Sequence, residues 1–81
     1  MDGDRMVMAF ILVATTSCSS YEIRDQLLEL DEVIEAHVVF GQYDIIVKAE
    51  VEDSETLGKL VFGGIRSNEC VISTATLTVL P

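Results

Sequence analysis

Gly41-Gln42-Tyr43-Asp44 is the stretch of this sequence best suited to hold a small polar molecule. A glycine turn exposes backbone N–H groups that can face a carboxylate. An aspartate in the same turn offers a charged acceptor for an ammonium group. A free amino acid carries those two charges close together, so it is the ligand class that this pair of features suits. The plainer reading is turn geometry alone. The β-branched runs Val38-Val39 and Ile45-Ile46-Val47 flank a connection of hairpin length, in which Gly41 can take a positive φ.

Other chemistry is poorly provided for. His37 is the single histidine, and within a strand it reads as a sheet-face residue rather than a general base. The serines lack the surroundings of a nucleophile elbow. "VATTSCSS" offers hydroxyls but no arginine to cradle a phosphate, and no CxxC to carry a metal. Two cysteines and one histidine do not make a zinc site. No catalytic residue, cofactor or metal is therefore expected, and the chain reads as a non-enzyme.

The charge balance narrows the partners. Fourteen Asp plus Glu stand against 5 Lys plus Arg, a net charge of -9. Phosphate contacts need Lys and Arg. Arg5, Arg24, Lys48, Lys59 and Arg66 are scattered and form no basic stripe, so direct nucleic-acid binding is not expected. No apolar run has transmembrane length. "MAFILVATTSCSS" resembles an exported leader, but it follows the net acidic "MDGDR" and contains the most strand-like segment of the chain. A cytoplasmic protein with Cys18 and Cys70 as reduced thiols is the expectation.

The elements that must position the turn follow from periodicity. Met6–Ala14 is apolar throughout, as a strand covered on both faces would be. Ser19 and Glu22 fit a capping box for a helix burying Ile23, Leu27, Leu28 and Leu30. Val33–Phe40 and Ile45–Val51 read as strands. Asp53 or Ser54 caps a second helix with Leu57, Leu60, Val61 and Ile65 inward, and Gly63 and Gly64 predict a frayed last turn. Val71–Leu80 is the last strand, with Thr74, Thr76 and Thr78 on one face and Ala75, Leu77 and Val79 on the other.

This βαββαβ order over residues 1–81 predicts one α+β, ferredoxin-like domain. Its four-stranded antiparallel sheet has strand order 4-1-3-2 and carries both helices on one face. Strand one is apolar on both faces, so its uncovered face needs a partner, most economically a second copy packed sheet to sheet. Strands one and four are neighbours in this topology, which leaves a Cys18–Cys70 disulfide as an alternative to free thiols.

"VIEAHVVFGQYDIIVK", the Ile65-Arg66 pair after the second helix, and Thr74-Ala75-Thr76-Leu77 together resemble the effector (RAM) domain of the Lrp/AsnC family of regulators. Strand one fits as well. The resemblance implies a sheet-to-sheet homodimer, assembly of dimers into rings that are typically octamers, and effector amino acids bound between dimers. By that resemblance, Asp44 pairs with the α-amino group. Backbone N–H groups of Gly41–Tyr43 take the carboxylate, while Gln42, with Thr74 and Thr76 of a neighbouring subunit, reads the side chain.

Family regulators place a helix-turn-helix before this domain. Here only Met1–Arg5 precede strand one, so the chain resembles the stand-alone members, which act in transcription regulation as accessories to full-length regulators. "VFGGIRSNEC" departs from the family pattern in its glycines and in lacking a proline before strand four. Two other functions stay open: a purely structural oligomerisation module, and a small enzyme of the dimeric α/β-barrel type that would have to use His37.

Overall fold

The computed structural model describes residues 6–80. The acidic start Met1–Arg5, on which the reading against export leans, lies outside them. The elements are β1 (Val7–Thr15), α1 (Ser20–Leu28), β2 (Val33–Val38), β3 (Ile45–Val51), α2 (Ser54–Lys59), which runs on as a π-helical turn (Leu60–Ile65), and β4 (Val71–Thr78). The sheet is antiparallel in the order β2-β3-β1-β4, as the ferredoxin-like topology requires.

Alternation along β1 separates two surfaces. Ala9, Ile11 and Val13 are fully buried beneath the helices. Ile45, Val47, Ala49 and Val51 of β3 join them, with Ile23 and Leu27 from α1 and Leu57, Leu60, Val61 and Ile65 from the second helical segment. Met8, Phe10 and Leu12 point to the opposite face and are half-buried. Leu12 stands between Ile46 and Ala75, and Phe10 between Lys48 and Leu77. Directly opposed residues share a face, so an apolar stripe crosses the face that carries no helix. Its β2 side is charged: Lys48 Nζ lies 3.8 Å from Glu35, whose other carboxylate oxygen lies 3.0 Å from His37 Nε2.

Both helices start where a side chain takes an orphan N–H. The Ser19 hydroxyl accepts from Glu22 N–H at 3.4 Å, and the Asp53 carboxylate accepts from Thr56 N–H at 2.8 Å. Leu28 departs from expectation, being 41% exposed. One step past Leu27 turns a side chain by about 100°, which carries Leu28 out of the buried stripe. Leu30, beyond the helix, packs back instead.

The glycines of the second helix widen it rather than fray it. Arg66 N–H donates to Val61 C=O at 2.7 Å, a five-residue step. At Gly64 an added Cβ would come within 3.3 Å of Leu30 Cδ1, so the small residue admits that leucine.

Candidate functional site at the turn between the second and third strands

β2 ends at Val38 because the chain turns there. Val39 N–H donates to Asp44 C=O at 2.9 Å, closing a loop through Phe40, Gly41, Gln42 and Tyr43. Gly41 has φ +157°, which favours glycine. Asp44 is fixed from both sides. Its N–H donates to Val13 C=O at 2.9 Å, and its Oδ2 accepts from Thr15 N–H at 2.8 Å. Thr15 needs that partner because the β1–β4 register shifts between Ala14 and Thr15.

Asp44 therefore anchors the turn to the end of β1 with one carboxylate oxygen. Its Oδ1 makes no hydrogen bond among the described residues. Nothing in the sequence marks the Thr15 contact, since a bulge leaves no periodic signature.

The six expected site residues do not gather in one chain. Gln42 and Tyr43 meet Ala14 and Ser73 around an open, mostly polar hollow of about 290 Å³. Ala14 and Ser73 are opposite one another on the helix-free face. Thr74 and Thr76 stand opposite Val13 and Ile11 and so face the helix side. There they line an apolar groove of about 370 Å³ with Leu57, Val61, Phe62 and Arg66. A chain's own threonines thus point away from its own turn. Arg66, which sets its guanidinium 5.4 Å from the Phe62 ring centroid, is a groove residue that the sequence reading did not single out.

The thiols are not free, contrary to expectation. Cys18 and Cys70 are disulfide-bonded, with Cα atoms 6.0 Å apart. The topology brings them together: Thr15 pairs with Val71, and Thr16 N–H donates to Cys70 C=O at 2.8 Å. The bridge ties the β1–α1 loop to the start of β4, at the same end of the sheet as the turn. His37 lies exposed on β2 with Glu35, away from both hollows.

The fold is that of a known kind of domain. The family model for the Lrp/AsnC ligand binding domain matches residues 8–81. The chain belongs to that family. It is 31% identical over 74 residues to the HTH-type transcriptional regulator FL11 of Pyrococcus furiosus, covering 91% of this chain and 48% of that protein.

The chain thus spans about half the length of the curated relatives it matches. Among solved structures, the hypothetical protein PHS023 from Pyrococcus horikoshii superposes with a TM-score of 0.86 at 36% identity, covering 93% of this chain and 90% of that one. The transcriptional regulator NMB0573 of Neisseria meningitidis, solved as a complex with L-Met, shares the fold. Its TM-score is 0.83 at 21% identity, over 93% of this chain and 50% of that one.

Proposed function

We propose that this chain is a non-enzymatic effector-binding domain that takes a free amino acid and works as a cytoplasmic accessory of transcription regulation, co-assembling with full-length Lrp/AsnC regulators. Copies pair through the helix-free sheet faces, and the dimers assemble further into a ring, typically an octamer. The ligand lies between subunits. Asp44 Oδ1 meets the ammonium, backbone N–H groups of Gly41–Tyr43 meet the carboxylate, and Gln42 with a neighbour's Thr74 and Thr76 surrounds the side chain.

One observation supports this assignment: a turn fixed to two strands, while Thr74 and Thr76 of the same chain face the other side of the sheet. Such a site is completed only by another copy. The L-Met complex of a fold relative supports the ligand class.

Native mass spectrometry with and without a pool of the common amino acids tests the proposal. The expected result is a ring of dimers with one discrete adduct per subunit, lost in Asp44→Asn. An adduct retained in that variant removes the site assignment. A second reading, a structural module that binds nothing, is favoured by Asp44 Oδ2 already being engaged by Thr15. A ring that stays bare across the pool would support it.

A further inference from the structure

Besides the helix-free face, two exposed apolar features stand out among the described residues. Phe40, just before Gly41 at the entry to the turn, is 106% exposed. The groove beside β4 is floored by Leu57, Val61 and Gly58, and Phe62 on its rim is 66% exposed.

Gly58 sits inside α2, where glycine costs about 1 kcal/mol against alanine. An added Cβ there would meet nothing within 4 Å outside its own helix. Packing among the described residues therefore does not call for a glycine. A body approaching the groove from outside would.

Charge points to the same pair of surfaces. Copies carrying -9 each repel one another. The run Val38–Tyr43 nevertheless holds no charged side chain, and the one charged residue lining the groove is the cation Arg66. These are surfaces that two copies can bring together without opposing like charges. An aromatic ring seated there buries about 150–250 Å² and meets both an aromatic edge and a guanidinium.

We infer that the groove is the docking site for Phe40 of another copy, with the ring of Phe40 over Gly58, beside the stacked pair of Phe62 and Arg66. The contact rests on the between-subunit site proposed above, because Thr74 and Thr76 line the same groove and the turn that must reach them begins one residue after Phe40. It deepens that site by naming the anchor that holds the turn against the neighbour's threonines. The two patches differ, so the contact is heterologous and builds a ring rather than a pair.

Sedimentation velocity on the wild type, Phe40→Ala and Gly58→Leu tests the contact. Phe40→Ala removes nothing from the subunit's core. Gly58→Leu improves helix propensity while filling the groove. The expected result is that the wild type assembles beyond the dimer and that both variants stop at folded dimers, with the affinity between dimers down roughly 30-fold or more. Wild-type assembly retained in either variant overturns the contact, as does a wild type that never exceeds the dimer. Unchanged assembly with an amino-acid adduct lost only in Gly58→Leu would make the groove a ligand pocket, and overturns it too. If both variants break the ring but no amino acid binds the wild type, the contact stands and the effector reading falls.

Discussion

Asp44 accepts the backbone N–H of Thr15 at 2.8 Å, across 29 positions of sequence, where β1 loses register with β4. The carboxylate of the turn proposed to hold the ligand thus closes the end of the central strand. Replacing Asp44 should show both roles. Asp44→Ala leaves a half-buried N–H without its acceptor and should cost about 1–3 kcal/mol of stability. Asp44→Asn keeps an acceptor and should fold nearly as well, yet lose the charge an ammonium needs. Urea denaturation of both variants, run beside ligand binding, separates the roles. Equal destabilisation would mean that the charge, not the acceptor, holds Thr15.

The disulfide closes a loop between residues 52 positions apart. Restriction of the unfolded chain by a loop of that length contributes about 4 kcal/mol. Cys18→Ser, or the wild type in excess dithiothreitol, should lower the urea midpoint accordingly and agree with each other. Two titratable thiols in the native, unreduced protein would end the assignment.

Acid should loosen the second helix and the charged corner of the sheet. Hydrogen bonding from Thr56, above all from its backbone N–H, holds Asp53 below the ordinary aspartate value. The hydrogen bond from His37, then the charge of Lys48, does the same for Glu35. A carboxyl lowered on folding stabilises above its unfolded pKa, and that contribution is lost as pH falls through the folded value. The thermal midpoint should be level near neutrality and drop below about pH 4. Asp53→Asn, which still caps, should flatten that drop. An acid limb unchanged in that variant would assign the loss to other groups.

The helix-free face predicts its own assembly. Leu12 stands at the centre of its apolar stripe, between Ile46 and Ala75. Leu12→Glu should split the proposed sheet-to-sheet dimer to monomers with circular dichroism retained, because the side chain is only half-buried in the single subunit. Light scattering that still reports a dimer would place the interface elsewhere.

Where a residue's partners lie one period away, the sequence shows them. The alternation of Ile45 to Val51 defines β3 with the bounds found, and the spacing of Leu57, Leu60, Val61 and Ile65 marks the buried side of a helix even though it widens midway. Thr74 and Thr76 fall on the face that their alternation predicts. Leu28 is expected inside with Leu27, but within the helix it sits about 100° further round and is exposed, a distinction that adjacent leucines do not show. The Thr15–Asp44 bond leaves no mark in the sequence, and the Cys18–Cys70 bridge is there only one of two alternatives. Both depend on a register shift at the end of β1, which alternation cannot encode.

Ser73 and Thr74 are neighbours in β4, yet they wall two different hollows: one holds the subunit's own turn, and the other is the groove proposed to receive a neighbour. β4 is thus a single partition between two compartments. A small rotation of it reshapes both at once. In a ring built as proposed, occupancy at one junction would be felt at the next through one strand. The coupling would be reciprocal between junctions. Effector titrations of the assembled ring should then depart from a simple hyperbola, whereas titrations of an interface-broken dimer should not.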